Sequence, residues 1–258
     1  GVIAYVAVLV AIPLLSLVEV GFADGASAFL ARIGAPTARA ALWLTTWTAL
    51  LVGVSNVVLG TATAWVLVRY RLWGRSLLSA LVDLPLAIPT LVAGVMLAVL
   101  YGPSSVAGDA LSAFGVEVVF ARPGILLALL FVTLPFVVRA VEPLLAEIDP
   151  AEEEAAIVLG AGPVRTFRTV FLPVILPAAL SGGIRSVGRA LGEFGSIVVI
   201  AGNVPGETLT APVYVFGEIE SGAPGAAAAT SIGLLALALL LHGVAWAVEQ
   251  RTGARGAS

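Results

Sequence analysis

Apolar residues run along this chain in long blocks, without the two-residue alternation of a half-buried strand. Six blocks reach the roughly 20 residues that a bilayer-spanning helix requires. They cover about residues 2–22, 40–68, 77–101, 124–141, 173–201 and 227–248. Only Pro13 and Glu19 interrupt the first. Helices are expected, because a chain in lipid must satisfy its own backbone hydrogen bonds. Ala- and Leu-rich runs without alternation argue against a β-barrel. The fold class expected is therefore all-α, a polytopic membrane protein of about six transmembrane helices. No internal repeat and no dividing linker is visible, so residues 1–258 read as one transmembrane domain.

Composition agrees with the pattern. The chain is 60% hydrophobic and 11% charged, with a mean hydropathy of +1.08. A soluble domain is about half apolar and about a quarter charged, so a soluble all-α protein with an outsized core is the weaker reading. The chain opens at Gly1 directly into the first block, and a few residues are expected to precede it. With no charged n-region or small-residue cleavage motif in view, that block is read as a membrane helix and not as a cleaved signal.

Loop charges set the expected orientation. With both termini cytoplasmic, the inner segments hold Arg69, Arg71, Arg75, Arg165, Arg168, Arg251 and Arg255, and Arg139 lies near the same boundary. The outer loops, about 24–38, 102–123 and 202–225, hold only Arg32, Arg39 and Arg122. The last of them carries Glu207, Glu218 and Glu220 and no basic residue. The tail, 250–258, is short, polar and expected to be loose.

Several chemistries are excluded. There is no cysteine, hence no disulfide, thiol catalysis or thiolate metal site. All 13 basic residues are arginine, so the lysine of a phosphate-binding loop is missing and no Schiff base can form. The single histidine, His242, cannot build a multi-histidine metal site and is read as a packed or interface-facing helix residue. No constellation for a membrane enzyme remains.

The longest inner segment, 149–173, has the marks of a helical hairpin. Asp149 is placed to cap a helix that begins at Pro150. Glu152, three residues on, completes a capping-box pattern. Gly160-Ala161-Gly162-Pro163 then breaks the helix. The second arm is expected to put Val164, Phe167 and Phe171 on one face, with Arg165, Arg168 and Thr169 on the other. Small residues beside the glycine corner would let another backbone approach. By shape alone, this hairpin could equally insert into a partner's groove or lie on the membrane surface.

Charges also occur inside the fifth block. Arg185, Arg189 and Glu193 follow at four-residue spacing, with Ser181 one turn earlier, so a continuous helix puts them on one face. An unpaired charge near mid-bilayer costs roughly 2.5–3.5 kcal/mol, so this face should look into the bundle or a water-filled path. Glu193 can pair with Arg189, leaving Arg185 without a local partner. One reading is an anion path, the guanidinium forks of Arg185 and Arg189 meeting an oxyanion. The other is structural, with the charges paired across helices or Arg185 reaching the inner interface. Gly182, Gly183, Gly188, Gly192 and Gly195 offer the same helix a close-packing surface. In the third block Pro85 and Pro89 should kink the helix. Asp83 is either a second path group or, preferably, a partner for Arg75 or Arg71.

The residues of the hairpin carry a resemblance. Glu154-Ala155-Ala156, Gly160 and Val170-Phe171-Leu172-Pro173, at their spacing, resemble the EAA signature of ABC importer permeases, with Val170 where isoleucine is usual. Further stretches from about Leu44 to Glu220 resemble the sulfate/thiosulfate and molybdate permeases. They include Gly60 to Tyr70, Leu81 to Pro85 and Leu100 to Pro103. Thr133 to Arg139, Arg189 to Ser196, Ile200 to Asn203, and Ala211-Pro212 are most similar to the sulfate branch. The Gly-Glu-Phe-Gly core and the turn from Asn203 to Gly206 are shared with molybdate permeases. The resemblance implies a type I ABC importer permease moving a tetrahedral oxyanion inward, sulfate or thiosulfate before molybdate or tungstate. It implies that Glu154, Ala155, Ala156 and Gly160 contact the ATPase, and that Pro173 belongs to the same ATPase-coupling segment. It also implies two ATPase subunits, which hold the ATP and Mg, so that this chain is no enzyme and has no cofactor of its own. A second permease, identical or homologous, and an extracytoplasmic oxyanion-binding protein complete the implied complex in the cell membrane. No nucleic-acid partner is expected. The acidic final outer loop would not attract a free dianion, which makes delivery by a binding protein physically sensible. An ATPase-independent secondary transporter or channel is the alternative of a different class. Six spans without a detectable repeat are few for one.

Overall fold

Fourteen helical segments make up the described part of the chain. The computed structural model describes residues 1–70 and 72–253, with side-chain detail for 1, 5–70 and 72–244. Arg71 and Arg255 lie outside the described residues. In order, the helices are α1 (Val2–Phe22), α2 (Ala26–Ile33), α3 (Pro36–Arg69), α4 (Arg75–Ala87), α5 (Thr90–Tyr101), α6 (Val106–Ser112) and α7 (Arg122–Glu147). After these come α8 (Pro150–Val158), α9 (Pro163–Thr166), a π turn (Phe167–Phe171), α10 (Leu172–Leu191), α11 (Gly195–Ile200), α12 (Ala211–Glu220) and α13 (Pro224–Gly253). Among the described residues, five helical stretches are long and apolar enough to cross a membrane, and the count is six if the bent α4–α5 pair forms one broken span and not a re-entrant loop. The segment expected as a loose tail continues α13 as far as Gly253. The rest of that tail, 254–258, is outside the described residues.

Three helices form the centre. α3, α7 and α10 pack against one another. The buried face of α3 carries Ala38, Ala41, Thr45, Thr48, Ala49, Gly53, Asn56, Gly60 and Ala64, an i, i+3/i+4 seam of small and polar residues. Lipid is as apolar as leucine, so close packing and interhelical hydrogen bonds, not hydrophobicity, mark the inner face. A Cβ on Gly53 would stand 2.3 Å from Val187 Cγ2, and one on Gly183 would stand 2.5 Å from Val57 Cγ2, so α3 and α10 interlock reciprocally. A buried polar knot joins all three helices. Asn56 Nδ2 donates to Thr133 Oγ1 (2.7 Å), and Ser186 Oγ donates to the Thr133 carbonyl (3.0 Å). α13 packs on α10 and α12, and α1 is peripheral, lying against α13 and α2.

Two spans expected to be continuous are broken. The third turns by 117° between Ala87 and Thr90, where Ile88 adopts an extended backbone before Pro89. Proline removes a donor and disfavours a helical conformation at the preceding residue, so a sharp bend replaces the expected kink. The fifth breaks after Leu191 and restarts at Gly195. The two broken spans meet, α11 lying against α5.

Candidate functional site: a helical hairpin and a crossing of broken helices

The hairpin forms as its sequence predicts, with two differences. The Asp149 carboxylate accepts from the Ala151 amide (2.9 Å), and Pro150 occupies the first turn. The return bond of a capping box, from Glu152, is not made among the described residues. Gly160 has φ +81° and open space around it, which accounts for glycine at the corner. The second arm is one helical run from Pro163 to Leu191, so the hairpin passes into the membrane helix without a joint of loose chain. Within it the π turn shifts the phase of what precedes it. Phe171 is buried and Phe167 half-buried, whereas Val164, expected on their face, is 67% exposed.

The outer surface of the hairpin is bare. Ile157 is exposed, and Val158 and Leu159 are each 85% exposed. Glu154, Ala155, Gly160 and Pro173 are exposed and Ala156 is half-buried. The inner surface is held to α3. Trp65 meets Phe167 and Phe171 edge-on at centroid distances of 5.3 and 4.8 Å. The Arg69 guanidinium lies 4.9 Å from the Phe171 ring and 5.6 Å from Trp65, and it pairs with Glu153.

At the other end of α10 stand the intramembrane charges. Ser181, Arg185 and Arg189 lie on α10, but Glu193 falls two residues beyond its end and so does not continue their helical face. Glu193 is 1% exposed. Its Oε1 accepts from the Ser196 amide (3.0 Å) and hydroxyl (2.9 Å) at the start of α11, and its Oε2 lies 2.7 Å from Arg189 Nη2. The carboxylate thus ties the end of one half-helix to the start of the next. Arg185 is exposed and has no carboxylate partner among the described residues. Of the five glycines expected to pack closely, Gly182, Gly183 and Gly195 do, while Gly188 and Gly192 face open space. A Cβ on Gly195 would stand 2.3 Å from Thr90 Oγ1, which fixes α11 against the first turn of α5.

Asp83 does not pair with Arg75, and Arg71, the other expected partner, lies outside the described residues. The Asp83 carboxylate takes a two-pronged contact from Arg139, Nε at 2.7 Å and Nη2 at 2.6 Å. Arg139 Nη2 also donates to Ser79 Oγ and its carbonyl, Arg139 Nη1 to Glu142, and Arg75 lies 3.9 Å from Glu142. Two guanidinium nitrogens meeting both carboxylate oxygens make a stronger and more directional contact than a single charge pair. This group ties α4 to α7. His242 is exposed at the rim of an apolar cavity beside Leu180, Ile184, Leu191 and Leu241.

Residues 56–254 match the family described as binding-protein-dependent transport system inner membrane component. The chain belongs to this family. It is a multi-pass inner-membrane component, all of whose long helices except α1 and the first part of α3 fall in the matched region. Among its relatives is the probable sulfate transport system permease protein cysT of Nephroselmis olivacea. That protein is 42% identical over 241 residues, which are 92% of this chain and 84% of the relative. The sulfate transport system permease protein CysT of Salmonella typhimurium is 42% identical over 81% of this chain and 76% of its own length. The same fold occurs in a bacterial ABC transporter involved in the import of the acidic polysaccharide alginate. There the TM-score is 0.77 at 20% identity, covering 97% of this chain and 92% of that one. A methionine ABC transporter, MetNI, in an inward-facing conformation gives a TM-score of 0.60 at 20% identity over 82% of this chain and 94% of that one.

Proposed function

We propose that this inner-membrane component carries sulfate or thiosulfate inward as the permease of an ATP-driven importer, with both termini and the hairpin on the cytoplasmic side. The observation that carries the reading is the hairpin. It is capped, turned on Gly160, bare on the face that bears Glu154, Ala155, Val158 and Leu159, and continuous with α10. Such a surface fits the groove of a separate ATPase subunit, whose ATP and Mg supply the energy. The oxyanion is chosen on relatives named as sulfate permeases at 42% identity over most of the chain.

In this mechanism the binding protein delivers the dianion to the outer mouth, since the outer loop carrying Glu207, Glu218 and Glu220 repels it. Arg185 and Arg189 then offer fork donors along the open side of α10, and Ser181 adds a hydroxyl one turn further in. Glu193 holds Arg189 in place and lowers the net attraction, so the anion is not trapped. The path has one wall here, and a second permease closes it. Movement of the ATPase pushes on Glu154, Ala155, Ala156, Gly160 and Pro173 and, through the unbroken run from Pro163 to Leu191, displaces α10. Uptake of labelled sulfate, thiosulfate, molybdate and tungstate into proteoliposomes, with binding protein and ATPase present, tests the reading. ATP-dependent sulfate or thiosulfate uptake is expected. Uptake of molybdate alone would move the substrate, and uptake without the ATPase would overturn the importer.

A further inference from the structure

The three consecutive glutamates of α8 are not equivalent. Glu152 and Glu154 are exposed, whereas Glu153 turns inward and pairs with Arg69 at the end of α3. Among the described residues this is the only ion pair or side-chain hydrogen bond between α8 and a membrane-spanning helix. Otherwise α8 touches mainly its own continuation, α9 and the π turn. That turn is the weak point of the second arm. Its i→i+5 hydrogen bonding departs from the α-helical ladder above and below it, and such turns recur at functional sites. A hairpin attached only there could swing when pushed.

Arg69 is built into the opposite side of this turn. Its guanidinium covers the Phe171 ring at 4.9 Å while Trp65, one turn earlier on α3, lies edge-on to both Phe167 and Phe171. Cation–ring and charge-assisted contacts therefore converge on one arginine. α3 and α10 are already interlocked at Gly53 and Gly183. The contact from Arg69 to Glu153 closes a triangle whose sides are α3, α10 and the hairpin, and a triangle cannot shear without breaking a side.

We propose that Arg69 is a positioning residue which, with Glu153, forms a strut holding the docking hairpin rigid against the bundle. Displacement of the hairpin then moves α3 and α10 together instead of bending the π turn. The proposal rests on the importer reading above. Its consequence is specific: removing the strut leaves the ATPase docked and hydrolysing ATP but lowers the amount of anion moved per ATP.

The test uses the complete reconstituted complex and reads ATPase co-purification, ATP hydrolysis and anion uptake together. Arg69→Gln and Glu153→Gln should each lower uptake per ATP about three- to tenfold, the range for losing one partly exposed charge-assisted contact. Co-purification should be unchanged. Because the chain has no native cysteine, Arg69→Cys with Glu153→Cys carries its only two thiols at the strut, and a bifunctional methanethiosulfonate spacer can bridge them in the purified subunit before the complex is assembled. The unbridged pair should be uncoupled, and bridging should restore the ratio. A merely stabilising ion pair would instead change yield and melting temperature and leave the ratio alone. An unchanged ratio in both glutamine variants, or a bridged pair that stays uncoupled while co-purifying fully, overturns the strut. Absence of ATP-dependent uptake in the unaltered complex overturns the importer reading itself and the strut with it.

Discussion

Removing Arg189 perturbs two things at once, and the structure says how to separate them. Arg189→Ala deletes a donor from the open side of α10 and also strips the countercharge from Glu193, which is 1% exposed. Breaking a buried ion pair by deleting one partner destabilises by about 3–5 kcal/mol. Two features lower that figure here. Ser196 still donates from its amide and hydroxyl to Glu193, and the Arg189 side chain is 36% exposed, so part of its charge was already solvated. A loss of about 2–3 kcal/mol is expected, and at roughly 2–4 °C per kcal/mol for a chain of this size the melting temperature in detergent should fall by about 4–12 °C. Arg189→Gln with Glu193→Gln removes both charges and keeps polar groups in place, so it should melt within a few degrees of the unaltered protein. Uptake then discriminates. With Arg189 in contact with the anion, proteoliposome uptake stays low in the single and the double variant. Recovery of uptake together with stability in the double variant would refute the path role and leave Arg189 as a brace. An unchanged melting temperature in Arg189→Ala would refute the argument from burial.

Two further substitutions probe the rest of the frame. Gly160→Val puts a β-branched residue at φ +81°, a strain of roughly 1–2 kcal/mol, with no neighbour to clash with. Co-purification with the ATPase should fall well below that of Gly160→Asn, which tolerates the same backbone, and equal recovery of both would count against the docking role. Asn56→Ala opens the knot to Thr133 and should lower the melting temperature by a few degrees, since interhelical hydrogen bonds in membranes average about 0.6 kcal/mol. A drop above about 10 °C would mean that the knot holds more than this one bond.

The hairpin could be read from sequence because it lies outside the apolar blocks that flank it. There the cap at Asp149, proline at 150 and glycine at 160 follow the same local rules as in a soluble protein. The six apolar blocks could be read for a related reason, a bilayer of fixed thickness. The breaks at Ile88 and Glu193 could not. Hydropathy scores a bent pair of half-helices as highly as a straight helix, and non-helical backbone at membrane depth is tolerated where neighbouring protein surrounds it. Pro89 and the glycines at 192 and 195 were the available signals, but a kink, a packing surface and a break share them. The partner of Asp83 was hidden too. Arg139 is 56 residues away, whereas Arg75 is on the same helix, and sequence proximity favoured the neighbour that geometry did not. Val164 was misplaced because the π turn alters the period that placed it.

The length of α3 sets a scale for motion. Its 34 residues span about 51 Å at about 1.5 Å per residue, against a hydrocarbon core of about 30 Å. Roughly 20 Å of the helix therefore stands outside the apolar slab. Its two ends are Pro36 and Arg69. A tilt of about 5° over that full length carries one end about 4 Å relative to the other. That is more than a hydrogen-bond length, so a small rotation of α3 is enough to make or break a polar contact at either of its ends.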